Sequence, residues 1–277
     1  MPNSPILNAM TVDLEDWMQS TLGPDHPITS RVIPNLERFL RLLAKHDVRA
    51  TFFSLGKVCE KFPILLEMVI EAGHEIASHG YGHELLYDIS PERFREDLDR
   101  SIEVIERQTG TKPLGYRAPA FSLTRKSWWA GPILAQAGFK YSSSVFPIRG
   151  RRYGVPDAPR FPHKWPECDL TEFPLTTAQL LGRNLPVCGG GYFRLLPFPI
   201  LRRAIRQVNG QGHPVVVYMH PYEMDVYEVA DLKRQGYPIS RKLQLTQSLF
   251  RSRIYPRLDR MFKEFRFGPM AEVLNIE

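Results

Sequence analysis

The feature that most constrains the fold of this chain is an alternation of short strand-like segments with longer segments of helical period. The strand-like segments occur at residues 6–13, 49–55, 74–78, 115–119, 140–145, 169–173 and 214–219. Most of them are largely apolar, which is typical of strands buried on both faces of a parallel sheet. Amphipathic segments such as residues 30–46 lie between them. The alternation therefore predicts an α/β fold in which helices cover a parallel sheet.

About seven such units in 277 residues favour a closed or nearly closed barrel over an open doubly wound sheet. The first strand is not followed by a GxGxxG segment, which argues against a dinucleotide-binding fold. With 43% hydrophobic and 24% charged residues, the composition is that of a globular protein. Residues 1–10 lack the basic and apolar regions of a secretory signal, so we expect a cytoplasmic location.

The positive charge is concentrated near the C-terminus. Residues 231–277 contain ten Lys or Arg against five Asp or Glu, which gives +5 of the total +6. We expect residues 226–277 to form a basic helical extension, with a helix at 243–265 interrupted at Pro256, packed on a barrel of residues 1–225. Such a surface favours contact with a membrane or an anionic polymer, with a merely solvated helix face as the alternative. Without an accompanying nucleic-acid motif, we expect no nucleic-acid partner.

Two histidines, His79 and His83, directly follow the third predicted strand. Gly80 and Gly82 allow the chain between them to curl, so that both imidazoles can face one centre. Imidazole nitrogens suit zinc and similar ions. In parallel barrels the catalytic residues gather at the C-terminal ends of the strands, where this pair lies. The pair is therefore a candidate metal site.

The first predicted strand ends in three acids, Asp13, Glu15 and Asp16. Asp13 and Glu15 are two positions apart and share a face of an extended strand. Beside a divalent cation, one carboxylate can bind the ion while the other takes a proton from the attacking water. Together with the histidines, the acids predict a site with two imidazoles, one carboxylate and open positions. A solvated acidic turn is the alternative interpretation.

Five segments resemble, in order, the motifs of the polysaccharide deacetylases, the NodB-homology enzymes of carbohydrate esterase family 4. These segments are TVDLED at 11–16, SHGYGH at 78–83, GYRAP at 115–119, YSSSVFP at 141–147 and YMHP at 218–221. The three-acid first motif and the segment at 189–197 are similar to a subgroup found at exosortase and exopolysaccharide loci, which carries a C-terminal extension. The resemblance implies a distorted (β/α) barrel with about seven parallel strands and metal-assisted removal of acetyl groups from sugars.

The resemblance also implies roles for the residues at the strand ends. Asp13 is similar to the catalytic base, and Arg117 to the arginine that holds this base in place. His79 and His83 resemble the metal-ligand histidines. His220, which follows the last predicted strand, is similar to the general acid.

Two positions depart from the common pattern of the family. Leu14 stands where a second, metal-binding aspartate is usual, so the carboxylate ligand is Glu15 or Asp16. Strand alternation favours Glu15, with Asp16 as the alternative. Ser142 stands where an aspartate often follows the tyrosine of the fourth motif. This serine weakens the expectation of a charged partner near Arg117 and His220.

The implied cofactor is a divalent metal, with zinc favoured and cobalt, nickel or manganese as alternatives. The implied substrate is an N-acetylated polysaccharide or its lipid-linked precursor in exopolysaccharide biosynthesis, met at the inner membrane face. Arg149, Arg151 and Arg152 are candidates for contacts with anionic sugars. A homo-oligomer is compatible with the sequence. Two alternative functions stay open: hydrolysis of small cyclic or linear amides, and glycan binding without catalysis.

Overall fold

The computed structural model describes residues 6–150, 152–187 and 189–276, so Arg151 and part of the N-terminal segment considered for a signal lie outside it. The strands are β1 (Leu7–Leu14), β2 (Thr51–Ser54), β3 (Glu75–Ser78), β4 (Gly115–Tyr116), β5 (Tyr141–Ser142), β6 (His163–Lys164), β7 (Thr171–Glu172), β8 (Thr177–Leu180), β9 (Arg183–Pro186), β10 (Val216–Met219) and β11 (Arg266–Gly268). The α-helices are α1 (Trp17–Leu22), α2 (Val32–Lys45), α3 (Gly56–Lys61), α4 (Ile64–Glu71), α5 (Pro91–Thr109), α6 (Ala130–Gln136), α7 (Gly190–Leu195), α8 (Phe198–Gly210), α9 (Glu228–Arg234), α10 (Arg241–Ser248), α11 (Ile254–Glu264) and α12 (Met270–Leu274).

The main sheet has the order β10–β1–β2–β3–β4–β5–β7–β6, and β11 also pairs with β1. Its pairings are parallel except for that between β6 and β7. The sheet curls into a half-barrel. Between β7 and β10, the Val216 N–H donates to Thr176 Oγ1 at 2.7 Å, and Gly189 forms a bridge with Tyr218. The predicted α/β class and distorted barrel are confirmed, and each predicted strand lies in this sheet.

Alternation along the strands separates an outer core from the barrel interior. Met10, Val12 and Leu14 of β1 join the cluster that packs under the covering helices. Ala9 of β1 belongs instead to the interior cluster, which also contains Phe53. Thr11 and Asp13 alternate with the outward residues and are buried on that interior side. Apolar side chains therefore fill the interior, and polar groups are concentrated at the strand ends.

The C-terminal extension is helical, but its interruption lies at a different place from the predicted one. The break falls between α10 and α11, where Phe250 has a left-handed φ of 59°. Pro256 lies inside the first turn of α11. A proline is tolerated there because the N–H that it lacks has no partner within the helix. The prediction of a break at Pro256 was therefore wrong.

The end of the extension lies against the N-terminal end of the barrel. β11 pairs with Leu7 to Ala9 of β1, whereas β10 pairs with Ala9 to Val12, so the two pairings share Ala9. Met270 is buried in the interior cluster, and its N–H donates to Thr51 Oγ1 at 2.7 Å. The predicted domain boundary at residue 225 stays a prediction. No helix in the described ranges is long and apolar enough to cross a membrane.

Candidate active site

The strand ends surround one cavity of about 270 Å³. Its lining includes five residues identified from the sequence, namely Asp13, Glu15, His79, His83 and His220. Arg117 is fully buried and contacts Asp13. The fold thus brings together residues from the ends of β1, β3, β4 and β10.

Glu15 and the two histidines form a compact cluster. The Glu15 Oε2 atom lies 3.0 Å from His83 Nε2 and 3.5 Å from His79 Nε2. One potential ligand atom from each of the three residues lies within 4.8 Å of the others, and all three residues are buried. Within the part of the chain that the structure describes, Oε2 has no hydrogen-bond partner. Burial alone raises the pKa of the Glu15 carboxyl, but the imidazoles of His83 and His79 hold that pKa well below its usual range. This donor set fits a divalent cation such as zinc.

The surroundings of each histidine fix how it faces Glu15. The His79 Nδ1–H donates to the Arg117 carbonyl at 2.8 Å, which leaves Nε2 for the cluster. His83 has a φ of 63°, in the left-handed region that few residues other than glycine adopt. Backbone conformations of this kind occur at functional sites where the surrounding structure holds them.

Asp97 of α5 holds the loop between the two histidines. Its carboxylate accepts the Tyr81 N–H at 2.8 Å and the Gly82 N–H at 2.7 Å. Gly80 has a φ of 74°, and a Cβ there would lie 2.7 Å from the same carboxylate. Asp97 was not predicted from the sequence. Its place beside Phe94 and Leu98, on the buried face of α5, marks it as an acid with a structural partner.

Asp13 and Arg117 form a buried ion pair under the cavity. Arg117 Nη1 donates to Asp13 Oδ1 at 2.7 Å and to Thr11 Oγ1 at 2.8 Å. Its Nη2 donates to Ser143 Oγ at 2.9 Å, and its Nε to the Ser143 carbonyl at 3.0 Å. The guanidinium lies 4.1 Å from the centre of the Phe53 ring. Among the described residues, Asp13 is the one carboxylate within 4.0 Å of this arginine.

Ser142, the second departure from the family pattern, does not contact Arg117. Its hydroxyl donates to Ser144 Oγ at 2.9 Å. The neighbouring Ser143 supplies the neutral contacts to the guanidinium instead. Glu172 accepts the backbone N–H groups of Ser144 and Val145 at 2.8 Å each, which fixes this strand end.

His220 lies between carboxylates on the other side of the cavity. Its Nδ1–H donates to Glu223 Oε2 at 3.3 Å, and its backbone N–H donates to the same oxygen at 3.1 Å. Its Nε2 lies 3.5 Å from Glu15 Oε1 and 3.9 Å from Asp13 Oδ2. Burial lowers the pKa of His220, but Glu223, Glu15 and Asp13 outweigh burial and raise it to about 9. The sequence analysis also missed Glu223, although an acid three residues after His220 matches a capping-box spacing.

Asp16 lies apart from the histidine cluster. Its Oδ1 accepts the Thr29 hydroxyl at 2.7 Å, at the start of α1. Burial raises the pKa of Asp16 to about 6. Of the two carboxylates left open by the sequence, the fold thus places Glu15, and not Asp16, beside His79 and His83.

The cavity walls come from both halves of the chain. Phe121, Tyr153 and Tyr218 supply aromatic surface, and Gln247 comes from α10 of the extension. Arg194 of α7 also lines the cavity and donates to the carbonyls of Thr246 and Gln247 at 2.8 and 2.7 Å. The C-terminal region therefore takes part in shaping the site.

Comparison with known families divides the chain into two regions. Residues 28–142 match the family model described as "Polysaccharide deacetylase". Residues 143–275 match a model described as a domain of unknown function, DUF3473.

Curated relatives agree with the first of these matches. A peptidoglycan deacetylase of Helicobacter pylori is 33% identical over 153 residues, which cover 50% of this chain and 50% of that protein. A peptidoglycan-N-acetylglucosamine deacetylase of Bacillus cereus is 32% identical over 97 residues, 35% of this chain and 33% of that protein. The chain thus spans half or less of the length of these relatives.

Solved structures share the fold at low sequence identity. The Puue allantoinase gives a TM-score of 0.63 at 14% identity, covering 99% of this chain and 91% of that one. The Bc1960 peptidoglycan N-acetylglucosamine deacetylase gives 0.51 at 18% identity, covering 100% and 91%. The BA3943 pseudoenzyme of Bacillus anthracis, from the CE4 family, gives 0.52 at 18% identity, covering 99% and 66%. Residues 28–142 are thus similar to the polysaccharide deacetylases, and these solved structures share the fold of the chain.

Proposed function

We propose that this chain, whose residues 28–142 match the polysaccharide deacetylases, removes acetyl groups from N-acetylated sugars of a polysaccharide. The observation that carries the proposal is the meeting of three units around one cavity. These units are the Glu15–His79–His83 cluster, the Asp13–Arg117 ion pair and the His220–Glu223 pair. Together they supply an ion site, a base and an acid, which hydrolysis of an amide requires.

The ion site fits a divalent cation, with zinc favoured, because two imidazoles and one carboxylate converge there. A cation held by Glu15, His79 and His83 would supply a Lewis acid for the acetyl carbonyl and make a coordinated water more acidic. The Glu15 Oε2 atom supports this assignment. It lies 3.0 Å from His83 Nε2 and 3.5 Å from His79 Nε2, yet it accepts no hydrogen bond from any described residue, whereas a buried carboxylate oxygen ordinarily has a partner.

Asp13 is the proposed general base. Arg117 binds its Oδ1 through a charge-assisted hydrogen bond of 2.7 Å and so fixes the orientation of the carboxylate. Its Oδ2 lies on the His220 side, 3.9 Å from Nε2. In this orientation Asp13 takes the proton of the attacking water.

His220 is the proposed general acid. Burial lowers the pKa of its imidazole, but Glu223, Glu15 and Asp13 outweigh burial and raise it, which favours the protonated form that a general acid needs. Glu223 holds Nδ1, so Nε2 is the nitrogen that donates a proton to the leaving sugar amine. The Ala120 backbone N–H, which follows Pro119 and belongs to a residue that lines the cavity with a φ of 49°, is proposed to stabilise the tetrahedral oxyanion. The next two N–H groups already donate to the Ala118 and Pro119 carbonyls.

The proposal extends to the polymer that the chain deacetylates and to the place where the chain meets it. The names of the curated relatives point to peptidoglycan and N-acetylglucosamine, so we test N-acetylhexosamine polymers first. Because the three-acid motif and residues 189–197 resemble the subgroup of exopolysaccharide loci, we propose an exopolysaccharide or its lipid-linked precursor as the substrate. A cytoplasmic location at the inner membrane face is part of the same proposal. Residues 226–277 offer fewer unpaired positive side chains for contact with a membrane than their sequence suggests. Arg260 and Lys263, for example, pair with acids of the same chain.

The test is acetate release from N-acetylglucosamine oligomers by the purified chain, before and after chelator treatment and zinc addition. We expect release that chelation abolishes and zinc restores. Asp13→Asn should retain the metal and lose release, whereas Asp99→Asn on exposed α5 surface should keep both. Release of ammonia from small linear amides, or ring opening of small cyclic amides, without acetate release would favour the amidohydrolase alternative. Oligomer binding without any release would favour a non-catalytic barrel.

A further inference from the structure

The β8–β9 hairpin forms a two-stranded sheet of its own and carries an apolar tip. Leu180, Leu181 and Leu185 are 58%, 94% and 40% exposed. Exposed leucines scattered singly over a surface need no explanation. Three within six residues of one hairpin form a local patch. More than half of Leu180 and nearly all of Leu181 stay uncovered by the described chain, so the patch calls for an apolar contact outside this molecule.

Leu181 is unfavourable at its position for two reasons: its side chain is exposed, and its backbone is left-handed. Leu181 and Gly182 have φ values of 49° and 74° between the paired residues Leu180 and Arg183. A two-residue turn with both φ values positive strongly favours Asn-Gly or Asp-Gly. Leucine has no local hydrogen bond to offset the left-handed conformation. The hairpin thus displays an apolar side chain where turn chemistry alone favours a polar one.

The hairpin is held in place on the body of the protein. The Gln179 N–H donates to Gln207 Oε1 at 3.2 Å, and Gln207 Nε2 donates to the Gln179 carbonyl at 3.1 Å. Asn184 Nδ2 donates to the Pro147 carbonyl at 2.8 Å. These contacts tie both strands to α8 and to the loop after β5, so the leucines project from a fixed support.

Positive charge lies beside the tip and in the cleft under the hairpin. Arg183 lies opposite Leu180 on the same face of the hairpin. Arg149, Arg160 and Arg183 line a cleft of about 1050 Å³ under the hairpin. Across residues 6–150, 152–187 and 189–276, none of the three has a carboxylate within 4.0 Å. Tyr192 lines the same cleft and directly follows Gly190 and Gly191, which line the catalytic cavity.

We propose that the β8–β9 hairpin docks this chain on an anionic phospholipid bilayer, with the leucine tip in the lipid and Arg183 at the headgroups. Leucines beside unpaired arginines match the apolar interior and the negative surface of such a bilayer. An anionic polysaccharide in the cleft would bind the arginines and reach Leu185, but it would make no use of Leu180 and Leu181, which do not line the cleft. The site differs from the basic extension, and it does not depend on the acetyl chemistry.

The test is sedimentation of the full chain with vesicles of phosphatidylcholine alone or with about one third phosphatidylglycerol. We expect binding to the anionic vesicles that Leu180→Thr/Leu181→Asn weakens about tenfold or more, as loss of two partly buried leucines predicts. Arg183→Gln should weaken it about fivefold, and only where anionic lipid is present. Because asparagine suits the turn, Leu181→Asn should leave the thermal midpoint unchanged or raised.

The matched control is Leu245→Gln, which changes a leucine of α10 that is 65% exposed. This variant should bind vesicles as the unaltered chain does and release acetate normally. Loss of binding in this control together with retention in the hairpin variants would transfer the contact to the extension. Absence of vesicle binding by the unaltered chain would overturn the proposal. Retention on a soluble anionic polysaccharide that the leucine changes do not affect would favour a glycan cleft instead.

Discussion

Asp97→Asn tests whether the loop that carries the histidines is held from outside the cluster. In the native chain both carboxylate oxygens of Asp97 accept backbone N–H groups, from Tyr81 at 2.8 Å and Gly82 at 2.7 Å. Asparagine can accept only one of them and presents an NH₂ group to the other donor. The change therefore removes one charge-assisted hydrogen bond and leaves a backbone N–H without an acceptor.

The size of the effect follows from the bond that is lost. A hydrogen bond to a charged group contributes about 1.5–3 kcal/mol. Where the lost hydrogen bond lets His79 and His83 move out of position, the affinity for a metal should drop about 10- to 100-fold. The reason is that the left-handed His83 relies on the surrounding structure to hold its backbone.

The assay is a competition titration of zinc against a chelator of known affinity, together with thermal unfolding of the metal-free chain. Asp99→Asn is the matched control, since Asp99 is an exposed acid on the same helix. We expect weaker metal binding for Asp97→Asn and unchanged binding for Asp99→Asn. Equal affinity in the two variants would refute the assignment of Asp97 as a positioning residue. A drop in thermal stability without a change in affinity would show that Asp97 supports the fold alone.

Three further changes test the surroundings of the site. Arg117→Met should lower the free energy of unfolding by about 3–5 kcal/mol, because Asp13 would stay buried without its partner. The variant should also lose acetate release. Denaturant titration would measure the change in the free energy of unfolding. Burial raises the pKa of Glu228 from the usual 4.5 to about 8, so the folded chain binds a proton there that the unfolded chain has already lost. The free energy of unfolding should therefore fall as the pH rises from 4.5 to about 8. Glu228→Gln should therefore stabilise the chain more at pH 9 than at pH 5, and an equal effect at both pH values would contradict the raised pKa. Met270→Ala should cost about 2–5 kcal/mol by opening a cavity at the base of the barrel, which thermal unfolding would reveal; a change under about 1 kcal/mol would argue against that packing.

The sequence predicted the barrel well because each strand is a distinct segment between helices of clear period. It predicted less of the connections. The α1 and α3 helices have six residues each, and neither has a side-chain N-cap to mark its start. The β8–β9 hairpin turns at Leu181-Gly182, which lacks the asparagine that would have marked the turn.

The residues of the candidate site likewise fall into those that the sequence predicted and those that it did not. Strand ends and the family resemblance pointed to Asp13, Glu15, His79, His83 and His220, and the fold gathers them around one cavity. Asp97 and Glu223 were missed because each acts through another group. Asp97 reaches the loop between His79 and His83 from α5, 16 residues away from its partner Tyr81. Its position on the buried face of the helix marked it as unusual, but no local pattern identified the loop that it binds.

The most direct test of the account is to measure metal content and acetate release on the same preparations of the unaltered chain, Glu15→Gln and Asp16→Asn. The two variants remove adjacent acids of similar burial, and only Glu15 lies with the histidines. The account predicts about one divalent cation per chain for the unaltered chain and for Asp16→Asn, and little metal and no release for Glu15→Gln. Metal retained by Glu15→Gln and lost by Asp16→Asn would contradict it.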